Sequence, residues 1–143
     1  MRKRRRLSWR DRLLLLEATF WLAVAALVIA VLPFRHLGRL AAFPLCRQAP
    51  PQQSRLTGQR VRWSVIACAR LVPWRAMCFQ QGLAAQLMLR RRGIPSVLYY
   101  GAALEDQRLS AHVWVRDRDA DVIGGEIASR YAVLTAFPPQ RES

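Results

Sequence analysis

A cysteine placed at the start of a predicted helix is the first residue of this chain that could carry out chemistry. Cys78 lies in "PWRAMCFQQGL", a few residues after Pro73, and apolar residues then recur at helical spacing. The unpaired backbone N–H groups and the dipole of a helix N-terminus stabilise an anion, so this position favours a thiolate and offers donors to an oxyanion. The alternative is a small buried apolar residue, because free cysteine is among the most buried residue types.

A histidine in a later predicted strand could act as the base for this thiol. His112 lies in "LSAHVWVRD", and a strand that follows the helix could bring its imidazole to Cys78, as nucleophilic catalysis requires. Because strand side chains alternate, Val113 and Val115 share one face and His112 and Trp114 share the other. We expect the valines to face the core, which turns the histidine toward the helix layer or a cleft. A hydrogen-bonded strand histidine without a catalytic role is the alternative.

Helical spacing precedes strand signals along the rest of the chain. Apolar residues over 61–72 predict a helix that Pro73 ends, and Gly93 after a run of arginines predicts the end of the helix that holds Cys78. The segments predicted as strands are "SVLYYGAAL", "LSAHVWVRD" and "DVIGGE", while "RYAVLTAF" fits either a strand or a turn of helix. This order predicts an α+β fold, with N-terminal helices followed by a small antiparallel sheet.

Composition divides the chain into three segments. Residues 1–42 hold a basic N-terminus and an apolar helix, 43–58 are rich in proline and glutamine and read as a linker or ordered loop, and 59–143 form the domain that carries Cys78 and His112.

The apolar run in the first segment raises the question of a membrane. Ala18–Phe34 carries no charge, is close to the length that spans a bilayer, and follows "MRKRRRLSWRDR", which suits a cytoplasmic N-terminus. A signal peptide is disfavoured because no convincing cleavage site follows. A single span would carry the rest of the chain outside. We therefore expect a cytoplasmic protein, membrane-associated through residues 13–34 by a buried, re-entrant or surface-docked helix.

Charge and cysteine usage limit the partners. The 143 residues include 23 Lys and Arg against 9 Asp and Glu, a net charge of +14, which suits a membrane surface or an acidic peptide. No nucleic-acid-binding signature stands out, and no nucleic acid partner is expected. Cys46, Cys68 and Cys78 have neither disulfide-framework nor metal-ligand spacing, so we expect free thiols in a reducing compartment, with Cys68 a packing residue and no cofactor or metal.

Three motifs taken together carry a family resemblance. "WRAMCFQQGLAAQLMLRRRGIPSVLYYGA", "AHVWV" and "DVIGGEIASRYAVLTAFPP" resemble the transglutaminase-like leader peptidase of lasso-peptide biosynthesis, the peptidase half of a split B protein that is related to papain-like cysteine peptidases. The resemblance runs from about Val61 to the end. It implies that Cys78 is the nucleophile and His112 the general base. It also implies a ribosomal precursor peptide as substrate, with a separate leader-recognition protein and an ATP-dependent lasso cyclase as partners.

The third catalytic residue departs from that family's pattern. The family usually has an aspartate about a dozen positions after the histidine, and here Gly124 stands in that place. A hairpin turn centred on residue 118 would place Glu126 diagonal to His112. If the turn centres on residue 119, with the same face assignment, Val115 pairs with Ile123 and His112 lies opposite Glu126. Gly124 would then leave room for the indole of Trp114.

Glu126 is therefore the candidate for orienting the imidazole. Asp121 would lie at the end of the hairpin, roughly 15 Å along the strand from His112. The alternative is a Cys–His dyad with Glu126 as a surface acid. Two other functions stay open at this point, namely acyl transfer to an amine at the same site and a non-catalytic, membrane-associated adaptor.

Overall fold

A computed structural model describes residues 6–41 and 50–140 of the chain. Four helices precede a four-stranded sheet in this part of the chain: α1 Trp9–Val31, α2 Phe34–Ala41, α3 Pro51–Ala69, α4 Cys78–Arg91, β1 Ser96–Glu105, β2 Arg108–Asp117, β3 Ala120–Ile123 and β4 Ala132–Phe137, with a 3-10 helix, Gly125–Arg130, between the last two strands. The predicted α+β class, with helices first and a small antiparallel sheet after them, is confirmed.

The sheet has the strand order β3-β2-β1-β4, and its neighbouring strands are antiparallel. β1 and β2 form a long hairpin whose two loop residues, Asp106 and Gln107, both have positive φ, as a tight primed turn requires. The segment "RYAVLTAF", which fitted two structures, forms edge strand β4 beside β1.

The helices cover one face of this sheet. Leu98, Val113 and Val115 are at most 2% exposed and lie in the core with apolar residues of α4. Gly82 of α4 lies so close to β2 that a Cβ on it would come within 2.7 Å of Val113 Cγ1. The missing side chain thus lets α4 pack directly on the strand that carries His112.

The alternation expected for β2 is confirmed, with Val113 and Val115 in the core. Because Val113 packs on α4, His112 and Trp114 belong to the other set of alternating β2 side chains. Trp114 stacks on Tyr99 at 5.6 Å, and its indole lies over Gly101. Of the two predicted directions for His112, the structure supports the cleft, whose walls also include residues of α3 and α4.

Helix α1 is packed along only one side. Its buried stripe, Leu14, Ala18, Leu22 and Ala25, belongs to the same core as residues of α3 and α4. Among the described residues it is the one helix whose length and composition would allow it to cross a membrane. The structure therefore gives this helix a core face, and leaves its other face open.

Glu17, the acid that interrupts the apolar run of α1, is neutralised by the end of α4. Its carboxylate accepts hydrogen bonds from Arg91 at 3.0 Å and from Arg92 at 2.8 Å. Burial raises the pKa of Glu17, but the hydrogen bonds and charges of the two arginines outweigh it and hold that pKa below its usual value. The ion pairs therefore join α1 to the helix that begins with Cys78.

The predicted linker 43–58 is partly helical. Residues 42–49, with Cys46, lie outside the described residues, whereas α3 already begins at Pro51, so 51–58 are not a linker. Proline at the first helical position is favoured because its φ suits the helix and its missing N–H needs no partner there. The buried Ser54 hydroxyl then donates to Asp117, which ties this first turn to β2.

Candidate active site

Cys78 is the first residue of α4, so it lies in the first turn as predicted, although the helix begins two residues after the predicted start near Ala76. The residue before it, Met77, has extended backbone angles and makes no side-chain capping hydrogen bond. The first hydrogen bond of the α4 ladder runs from the Gln81 N–H to the Met77 carbonyl at 3.1 Å, so the preceding N–H groups belong to the unpaired first turn. The thiol thus lies where a helix end stabilises negative charge.

The three residues predicted for the site line one cleft. It has a volume of about 190 Å³, and Cys78, His112 and Glu126 all contribute to its walls, together with Arg62 and Gln81. Cleft residues come from α3, α4, β2, the end of β3, Gly124 and the 3-10 helix, so elements far apart in the sequence build it.

Cys68 lies elsewhere, in the core. It is 3% exposed and its thiol donates to the Leu15 carbonyl at 3.2 Å. The prediction that Cys68 is a packing residue is confirmed.

The imidazole of His112 has a defined backbone partner. Its Nε2 lies 2.7 Å from the carbonyl oxygen of Gly124. A carbonyl can only accept, so Nε2 carries the hydrogen and donates it, which leaves the lone pair on Nδ1. The rings of Tyr131 and Trp114, with centroids 5.1 and 6.0 Å from that of His112, flank the imidazole. The ring is thus held in one orientation with Nδ1 as its basic atom.

Gly124 supplies that carbonyl, and it stands where the sequence resemblance leads one to expect an acid. Its backbone is in the left-handed region. Its φ is +76°, and an added Cβ would lie 2.5 Å from the Val113 carbonyl oxygen. Glycine is required for both reasons. The expectation that Gly124 makes room for the Trp114 indole is wrong, because backbone atoms crowd Gly124 and the indole ring lies over Gly101.

The expected hairpin register holds at one pair and then breaks. Val115 pairs with Ile123, as a turn centred on 119 predicts, but a shift beside Val115 pairs Arg116 with Asp121. β3 ends at Ile123, and the chain turns into the 3-10 helix, so Glu126 does not lie opposite His112 in a ladder. That part of the register is wrong, because the left-handed residue after Ile123 leads the chain out of the strand.

Asp121 lies outside the cleft, as expected from its place at the hairpin end. Its carboxylate forms an ion pair with Arg116, 2.9 Å from Nε.

Glu126 reaches the cleft from the 3-10 helix and binds Arg62. The Arg62 guanidinium pairs with its carboxylate and also donates to the Val122 carbonyl at 3.3 Å. The Glu126 backbone N–H and Arg62 lower the pKa of this carboxyl group more than burial raises it, and His112 adds a smaller lowering. Glu126 is thus near the imidazole, while its hydrogen bonds are to its own backbone and Arg62. Its role in orienting His112 stays a prediction.

Sequence reasoning missed Arg62 and the Gly124 carbonyl, and it could not distinguish Gln81, which lines the cleft, from its neighbour Gln80, which does not. Arg62 is one of many arginines, and nothing in its spacing marks it. A backbone carbonyl has no signal in a residue pattern, although a glycine at the family's acid position could have drawn attention to the main chain there.

The chain matches a known protein family over most of its length. Residues 20–136 match the transglutaminase-like superfamily, and the chain therefore belongs to it. This superfamily includes cysteine peptidases and acyltransferases. No curated protein and no solved structure matched the chain.

Proposed function

We propose that the chain is a cysteine peptidase that removes the leader from a lasso-peptide precursor. The observation that carries the proposal is the shared cleft. It has a thiol at the open N-terminus of α4, and an imidazole whose Nε2 is engaged by Gly124 and whose Nδ1 keeps its lone pair. The sequence motifs around Cys78 and His112 narrow the substrate class, since they resemble those of lasso-peptide leader peptidases.

The reaction follows from the roles of these two side chains. His112 Nδ1 takes the thiol proton, and the Cys78 sulfur attacks the carbonyl carbon of the scissile bond. As the tetrahedral oxyanion collapses, the C–N bond breaks and the imidazolium gives its proton to the leaving amine of the core peptide. Water, deprotonated by His112, then hydrolyses the thioester and releases the leader with a free carboxylate. Neither step uses a metal or cofactor.

Partners are proposed from the same resemblance and from charge. The precursor peptide is the substrate, a separate protein presents its leader, and an ATP-dependent lasso cyclase uses the freed core peptide. A net charge of +14 favours acidic peptide segments or anionic surfaces as the contacts of this chain. A second protein supplies leader specificity, because the cleft, at about 190 Å³, holds only a few side chains of a peptide.

The direct experiment incubates the chain with a precursor peptide and its leader-binding protein, with and without a primary amine, and weighs the products. We expect a leader fragment with a free carboxylate, unchanged by the amine. Addition of the amine mass to the leader fragment would instead identify an acyltransferase. An intact precursor, together with an ordinary rate of Cys78 alkylation by iodoacetamide, would identify the non-catalytic adaptor and contradict the proposal.

We also propose that the protein is cytoplasmic and docks on a membrane surface through α1. Leu16, Phe20 and Leu27 are 59–67% exposed on the side of α1 opposite its buried stripe. Exposed Arg10 and Arg12 at the start of this helix suit anionic headgroups. Crossing the bilayer would strip α3 and α4 from the buried face of α1, whereas lying in the interface leaves that face packed.

The double variant Leu16→Ser/Phe20→Ser should weaken binding to anionic vesicles by about tenfold or more, because two large apolar side chains no longer enter the lipid. Co-sedimentation with phosphatidylglycerol vesicles measures this loss. The matched control is Leu104→Ser/Leu109→Ser, which removes two residues that are 74% and 79% exposed at the far end of the β1–β2 hairpin, and should leave binding unchanged. Equal losses in both variants would show that general surface hydrophobicity, rather than α1, drives the binding.

A further inference from the structure

Two adjacent glutamines follow Cys78, and the structure separates them. Gln81 lies three residues after Cys78, hence on the same side of α4, and lines the cleft. The carbonyl oxygen of the Gln80 side chain instead accepts from the indole N–H of Trp74 at 3.2 Å, and Gln80 does not line that cleft. Gln81 is thus the amide side chain that faces the space beside the thiol.

The orientation of the Gln81 amide is fixed by a backbone acceptor. Its Nε2 donates to the carbonyl of Ala76, at 2.8 Å, just before α4 begins. Because this contact requires an N–H, it settles which end of the amide carries nitrogen. A primary amide has two N–H groups, so one hydrogen bond to Ala76 leaves a second donor on the same nitrogen. The side chain is half-buried and lines the cleft, so this second N–H is a candidate donor to a group bound there.

We propose that Gln81 is a catalytic residue, with its second amide N–H donating to the oxyanion that forms when Cys78 attacks a carbonyl. This inference rests on the proposed acyl chemistry and adds a side-chain donor to the backbone N–H groups of the first turn of α4. Two donors from different groups can surround one oxygen, and donors held in place before the reaction need no reorganisation as charge develops. Arg62 serves this role less well, since Glu126 and the Val122 carbonyl already bind its guanidinium.

The test compares Gln81→Ala with Gln80→Ala in two assays. One measures leader removal. The other measures the release of p-nitrophenolate from p-nitrophenyl acetate, in which the Cys78 thiolate attacks the acetyl carbon, the C–O bond breaks and an acetyl thioester remains. We expect Gln81→Ala to slow both by about ten- to a thousandfold through kcat, with KM unchanged. Gln80→Ala should be within about twofold of the parent chain, because its amide lies outside the cleft.

Two further measurements separate catalysis from structure. Alkylation of Cys78 by iodoacetamide forms no oxyanion. Gln81→Ala should therefore leave the alkylation rate unchanged if the pair of Cys78 and His112 is intact. Gln81→Glu keeps the size of the side chain but replaces the N–H donors with a negative charge, so it should be at least as slow as Gln81→Ala. A Gln81→Ala chain that alkylates slowly or melts at a lower temperature would overturn the oxyanion assignment in favour of a structural role.

The outcomes also separate this inference from the proposed function. If the parent chain leaves the precursor intact but releases p-nitrophenolate, leader removal is wrong, and the acylation rates still decide the role of Gln81. Equal rates in Gln81→Ala and the parent overturn the assignment, as does an effect confined to KM. If Cys78 of the parent is not acylated at all, both proposals are contradicted.

Discussion

Cys78→Ala should abolish leader removal, with a loss of at least about a thousandfold in kcat, while the melting temperature stays near that of the parent chain. The reason is chemical: no other described thiol lies in the cleft, and without sulfur no thioester can form. The change removes one atom from a half-buried helix start, so little packing is lost. Mass spectrometry of the precursor over time gives the rate, and circular dichroism gives the melting temperature.

His112→Ala should lower kcat for leader removal by a similar factor, since the thiol then lacks its base. The kcat of the double variant Cys78→Ala/His112→Ala should be no lower than that of either single variant, because the effects of two residues that act in one step are not additive. Cys68→Ala is the matched control: it removes a thiol from the core and should retain most activity, at a stability cost of about 1 kcal/mol. A folded Cys68→Ala chain without activity would contradict the assignment of the nucleophile.

Gly124→Asp should damage the protein, although it installs the acid expected at this position from the sequence resemblance. A side chain at φ +76° is strained, and its Cβ would lie 2.5 Å from the Val113 carbonyl oxygen, so the backbone must move. The same movement displaces the carbonyl that holds His112 Nε2. We expect a loss of about 2 kcal/mol or more in the free energy of unfolding. Leader removal should slow by about tenfold or more, as expected when a general base is misplaced.

Gly58→Ala is the control, because it replaces a glycine at a position that has room for a side chain. Gly58 lies within α3, and an added Cβ would meet Val122 Cγ2 at 3.7 Å, an ordinary contact. Replacing a helical glycine should therefore raise the unfolding free energy by about 0.5–1 kcal/mol and leave activity unchanged. Urea titration measures both variants. A Gly124→Asp chain that is as stable and active as the parent would show that the main chain at residue 124 plays no special part.

Local signals in the sequence were sufficient to predict the helix and the strand that carry Cys78 and His112. Apolar spacing, Pro73 and Gly93 placed the helix that begins at Cys78, and alternation assigned the two faces of β2. These features depend on neighbours a few residues apart, which any single sequence displays. The motifs around Cys78 and His112 likewise indicated the superfamily to which the chain belongs.

The tertiary structure alone decided what surrounds the imidazole. The shift beside Val115 and the left-handed Gly124 depend on contacts between β2, β3 and the 3-10 helix, so a hairpin drawn from pairing rules could not place Glu126. Contacts between distant elements also decide that the partner of His112 is a main-chain carbonyl and that Arg62 binds Glu126. They decide as well that Gln81, rather than Gln80, lines the cleft with the thiol. Whether α1 was buried or exposed also depended on packing, because an apolar helix carries no mark of which side its neighbours will cover.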